Sequence, residues 1–189
     1  MRRSILLVPV LLGLMVGVAA ADSVIGIGYA VGMANPSGGQ WSDTKESKAG
    51  INQAWRVPMA LGKMFSLEPF MERTEGKADQ SYQGTLDGYD VMSYGANVGL
   101  GQLVRNKGGL HLTPFVGGML SKARRSGGPG DDGFAWQGGL SVGLHGSETT
   151  HWDIRGAYQS ISKMDLQGET KARNYINVSL GLTCVVKPR

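Results

Sequence analysis

The feature that constrains this chain most is a strict two-residue alternation running through Tyr89–Leu120. Met92, Tyr94, Ala96, Val98 and Leu100 are apolar and share one parity. Val91, Ser93, Gly95, Asn97, Gly99 and Gly101 share the other and are mostly small or polar. A period of two is the mark of a β-strand with two unlike faces. Arg105-Asn106-Lys107-Gly108-Gly109 supplies a short turn, with glycines able to take positive φ. The alternation then resumes. Leu110, Leu112, Pro114, Val116, Gly118 and Leu120 lie on one face, and His111, Thr113, Phe115, Gly117 and Met119 on the other. The stretch reads as an antiparallel hairpin.

Which face is bulky decides the class. A soluble barrel or sandwich turns its large apolar face inward and its polar face to water. A membrane barrel inverts this, with apolar residues against lipid and polar or small residues inside. Gly, Ser and Asn suit a narrow interior, so the even-numbered face here is read as lipid-facing.

The same pattern recurs along the chain. It predicts strands over 23–33, 51–61, 67–74, 89–104, 110–120, 134–145, 151–160 and 173–186. Outward positions include Ile27, Tyr29, Trp55, Met59, Met71, Trp136, Leu140, Trp152, Tyr158, Ile176 and Leu180. Pro58 removes one ladder donor and marks a bulge or a weakened position. The connections run long, short, long, short, long, short, long. The long ones cover 34–50, 75–88, 121–133 and 161–172. Eight strands with connections of alternating length are the layout of an outer-membrane barrel: an all-β, eight-stranded antiparallel up-and-down transmembrane β-barrel. Gly26-Ile27-Gly28 is not a nucleotide loop, because no helical pattern follows it.

Arg2-Arg3, the apolar run Ile5–Val18 and Ala19-Ala20-Ala21 read as a secretory signal peptide over 1–21, leaving the barrel domain over 22–189. Both strand termini then lie on the periplasmic side, and the long loops face outward. No later segment has the apolar length of a membrane helix. Removing Arg2 and Arg3 takes 19 basic residues to 17, against 15 acidic ones, which is too balanced to call for nucleic acid. The single cysteine, Cys184, has no internal partner.

With this layout, and with strand phrases such as Leu112-Thr113-Pro114-Phe115-Val116-Gly117-Gly118 and Tyr175-Ile176-Asn177-Val178-Ser179-Leu180-Gly181-Leu182, the chain resembles the small eight-stranded outer-membrane β-barrels, the OmpA/OmpX-like group. Several barrels of this kind modify lipids, so the resemblance carries an enzyme as a rival reading. His145-Gly146-Ser147-Glu148 is the tempting segment for a hydrolase, but it falls in a short periplasmic turn, away from the outer leaflet.

The inward parity holds Arg56, Glu68, Glu72, Asp153 and Arg155. Charges in such an interior must pair or be hydrated. Adjacency along the chain pairs Arg56 with Glu68 or Glu72, and Asp153 with Arg155, as a plug filling the lumen. Trp55, Trp136, Trp152, Tyr29 and Tyr158 fit aromatic girdles. Lys122, Arg124 and Arg125 in the third long loop suit lipopolysaccharide phosphates. His111, His145 and His151 fall on the inward phase near short turns and are read as hydrated residues closing the periplasmic rim. No catalytic, cofactor-binding or metal site is assigned. The expected role is structural or adhesive. The expected partners are outer-membrane lipid, lipopolysaccharide and a surface ligand of the long loops, for a monomer. A soluble lipocalin-like periplasmic barrel is the second rival.

Overall fold

A computed structural model describes residues 24–37, 49–61, 64–76, 89–100, 110–125, 130–145, 147, 149–166 and 169–186. The expected signal segment 1–21, the expected turn at 105–109 and most of the first two long loops lie outside the described residues.

The described strands are β1 (Ile25–Pro36), β2 (Gly50–Arg56), β3 (Met59–Leu61), β4 (Phe65–Gly76), β5 (Tyr89–Leu100), β6 (Leu110–Arg125), β7 (Gly130–His145), β8 (Thr150–Leu166) and β9 (Glu169–Val186). All pairings are antiparallel. β1 pairs with β9 from Ile25↔Val186 to Pro36↔Tyr175, which closes the sheet and leaves no free edge around the barrel body. β2 and β3 are two halves of one stave, since both lie between β1 and β4. The result is an eight-stave closed barrel.

The break between β2 and β3 is at Val57-Pro58. Gly28↔Arg56 and Ile25↔Met59 continue one register across it, so no residue is inserted. Pro58 is therefore a weakened position and not a bulge: it has no N–H to give, while its carbonyl accepts from Gly26 N at 2.8 Å. Met59, read as outward, is buried beside this break.

The alternation sorts as the sequence predicts. Ile27, Val31, Met33, Val98, Leu100, Leu112, Val116, Leu120, Leu144, Ile154, Val178 and Leu180 are exposed. Asn52, Ser66, Ser93, Asn97, Ser121, Gln137, Asn177 and Thr183 are buried. A soluble barrel would hide the first set, so the lipocalin-like reading fails on this observation. The lipid-facing run on β7 from Phe134 to Leu144 is about 33 Å along the strand at about 3.3 Å per residue. At a tilt of about 40° it covers about 25 Å, the height of an outer-membrane apolar band. Trp55, Trp136, Trp152, Tyr29 and Tyr158 all face outward, with Tyr29 against Trp55 at 4.8 Å and Trp136 against Tyr158 at 5.7 Å between ring centres.

The strands run farther outward than their alternation does. Segments assigned to the third and fourth long loops are ladder: Lys122↔Asp132 and Arg124↔Gly130 join β6 to β7, and Met164↔Lys171 through Leu166↔Glu169 join β8 to β9 beyond an irregularity at Ile161/Met164. These two loops are thus strand extensions with short tips. Above the apolar band both faces of a strand meet water, so the period-two signal vanishes while the hydrogen bonds persist.

Candidate functional site

The lumen gathers buried charged, amide and imidazole side chains, and it is built in layers. The end where β1 begins and β9 finishes is the inner mouth; the other is the outer end.

The central layer is charged. Arg56 comes from β2, Glu68 and Glu72 from β4, Asp153 and Arg155 from β8, each on the inward parity of its strand. Four of the five pair, but not as adjacency along the chain implies. Arg56 Nη1 donates to Asp153 Oδ2 at 3.0 Å, and its Nη2 donates to Ser179 Oγ at 3.1 Å. Arg155 donates twice to Glu68, at 2.5 and 2.9 Å, a bidentate fork. The partners are exchanged across the lumen. In so narrow a barrel the opposite wall is within reach of a guanidinium, so cross-lumen partners compete with neighbours on the sheet. Arg155 also lies over the Phe115 ring, 4.5 Å from its centre, and its Nε is 3.8 Å from Asp153.

Amide side chains extend the network. Asn97 donates to Glu68 at 3.0 Å, and Gln137 donates to Asn97 Oδ1 at 2.8 Å. Asn177 donates to Gln159 at 3.0 Å and to Glu72 at 3.4 Å. Ser93 and Ser121 share a bond of 2.8 Å. These amides carry no obvious motif in the sequence; their inward parity was the only signal that could have found them.

Farther out an apolar cluster sits among buried Ser93, Ser121 and Gln159. Ala34, Phe70, Val91, Met119, Ala123, Ala135, Ile161 and Tyr175 form one buried cluster. At the inner mouth a cavity of about 50 Å³ is lined by Ser66, Thr113, Ser141, Thr183, His111 and His151, by Pro58 and Phe115, and by the charged layer above them. A smaller cavity of about 10 Å³, about the space of one water, touches Arg56, Glu72 and Asn177.

His111 and His151 do gather at the inner mouth, with ring centres 6.5 Å apart. The His145 side chain lies outside the described residues; its backbone pairs with His151. Ser147 is exposed in the turn, and its hydroxyl accepts from Thr149 N at 3.3 Å. Lys122 and Arg124 stand exposed on the outward face of β6 above the apolar band, with Lys122 3.8 Å from Asp132. The Arg125 side chain lies outside the described residues.

No protein-family model and no curated protein matches the chain. Solved structures do. It is similar to a major outer membrane protein from Thermus thermophilus, with a TM-score of 0.61 at 7% identity over 88% of this chain and 100% of that one. It is similar to Neisserial surface protein A (NspA), with a TM-score of 0.54 at 15% identity, covering 87% of this chain and 97% of that one. OprG from Pseudomonas aeruginosa gives 0.53 at 9%, covering 89% and 97%. At such identities the likeness is one of architecture, and it agrees with the inverted faces and the closed eight-stave sheet: this chain has the fold of the small outer-membrane β-barrels.

Proposed function

We propose that the protein is a monomeric barrel of the Gram-negative outer membrane with a structural or surface-interaction role, its lumen plugged by its own side chains. The observation that carries this reading is the series of two closures in one narrow lumen. The exchanged ion pairs Arg56–Asp153 and Arg155–Glu68 cross it, and the apolar cluster around Ile161 and Tyr175 lies beyond them. A path for solute would have to open both.

The outer surface supports the second half of the reading. Above the aromatic belt, β6 presents Lys122 and Arg124 on the lipid-facing side, at the level where phosphates of the outer leaflet lie. Lipopolysaccharide is the proposed partner there, and a surface ligand of the long loops is the proposed partner outside the cell. A lipid-modifying activity has less support, because the nucleophile candidate Ser147 sits in an exposed turn at the inner mouth.

Planar-bilayer recordings on the refolded full chain test the plug. Only rare, small conductance is expected. Stable porin-sized channels would overturn the reading. Comparing lipid A and phospholipid composition in cells with and without the protein tests the enzyme: unchanged composition is expected, and a new lipid species would replace the structural role by a catalytic one.

A further inference from the structure

The inner mouth carries an arrangement that a plug does not need. β6 and β8 are not neighbours; β7 runs between them. His111 on β6 pairs with Gly143 on β7, and Gly143 pairs with Asp153 on β8, two residues from His151. A Cβ at position 143 would lie 2.5 Å from both Cε1 and Nε2 of His151. Only the missing side chain of Gly143 lets the His151 ring lean across β7 toward His111. Two imidazoles from alternate strands thus meet over a glycine, on the wall of a cavity of about 50 Å³.

We propose that His111 and His151 form a site for a late first-row divalent transition-metal ion: Zn²⁺, Ni²⁺ or Cu²⁺. Imidazole is the borderline ligand these ions favour. A metal–nitrogen bond of about 2.0–2.1 Å puts the ion about 3.2 Å from each ring centre, so two imidazoles on one ion stand about 5 to 6.4 Å apart. The observed 6.5 Å is within a small side-chain rotation of that range. Among the described residues no third His, Cys, Asp or Glu joins them in a group that could hold an ion, so the two imidazoles are the protein ligands of the proposed site and water would have to complete the coordination. Ser66, Thr113, Ser141 and Thr183 line the same cavity and offer hydroxyls to those waters. Charge favours entry of a cation. Of the charged layer, Glu68, Asp153 and Arg155 line the cavity, two carboxylates against one guanidinium.

The test uses the refolded full chain in detergent, its fold checked by thermal unfolding. Calorimetric titration with Zn²⁺ should give one ion per chain with a Kd in the micromolar range. His111→Gln and His151→Gln should each weaken it at least about tenfold. Gly143→Ala keeps both imidazoles but displaces the His151 ring, and should weaken binding as well. The electron paramagnetic resonance spectrum of added Cu²⁺ should carry hyperfine structure from two nitrogens, reduced to one in either glutamine variant. Absence of saturable binding in the wild type, or unchanged affinity in any of the three folded variants, overturns the site.

Discussion

The two ends of the lumen are lined in opposite ways. At the outer end, Ala34, Val91, Met119, Ala123, Ala135, Ile161 and Tyr175 meet without a charge among them. Toward the inner mouth, the Arg56–Asp153 and Arg155–Glu68 ion pairs span the space, with a cavity of about 50 Å³ beneath them. Apolar contact is non-directional, and each lost methyl costs its share. A buried ion pair is all or nothing: with one partner gone, the other remains as an uncompensated charge in a poor solvent. The outer end should therefore respond to mutation by degrees, and the charged layer by collapse.

The largest expected effect is at Arg155. Arg155→Ala removes both bonds to Glu68, the contact with the Phe115 ring and the approach to Asp153 together. A destabilisation of about 3–5 kcal/mol is expected from breaking such a pair. Arg155→Lys should recover little of it, because an ammonium cannot reproduce the bidentate fork. Thermal and denaturant unfolding in detergent measure both. Near-complete rescue by lysine would show that charge alone matters and would weaken the contrast between the two ends.

Next comes the apolar end. Ile161 is fully buried in the cluster. Ile161→Ala should cost about 2–4 kcal/mol, and Ile161→Val about 0.5–1.5 kcal/mol, in proportion to the volume removed. The same unfolding series checks the gradation. Equal losses for valine and alanine would mean that this end, too, depends on one specific contact.

This difference also explains what the sequence discloses and what it hides. Alternation alone places Val98 and Leu100 outside and Asn97 and Gly99 inside, because in a barrel one face meets lipid and the other does not. It also finds the five inward charges. It cannot find their partners. Arg56 selects Asp153, distant in the chain, over Glu68 and Glu72 nearby, and that choice depends on which residues the closed barrel brings face to face across its axis. Nor does alternation mark where β6 and β7 end. Lys122, Arg124, Asp131 and Asp132 are polar on both parities, so a ladder that continues to Arg124↔Gly130 reads as a loop. The lean of His151 over Gly143 is hidden for a related reason: it needs the register of three strands, and Gly143 looks like any other small inward residue.

The smallest effect expected sharpens the comparison at the boundary between the two ends. Glu72 lies between the ion pairs and the apolar cluster, two residues from Phe70 on the same strand. It is buried, yet no guanidinium lies within ion-pair distance of it among the described residues; Asn177 Nδ2, at 3.4 Å, donates to it weakly. It is the carboxylate in excess over Arg56 and Arg155. Replacing a buried charge that lacks a matched partner by a neutral group of the same shape removes desolvation cost and little attraction. Glu72→Gln keeps an oxygen that can still accept from Asn177. Stability should change by less than about 1 kcal/mol, in contrast to Glu68→Gln, which takes the charge from the Arg155 fork and should cost several times more. Side-by-side thermal melts of the two glutamine variants decide the matter. A loss at Glu72 equal to that at Glu68 would place Glu72 inside the charged network and move the boundary of the ion-paired layer outward, to the edge of the apolar cluster.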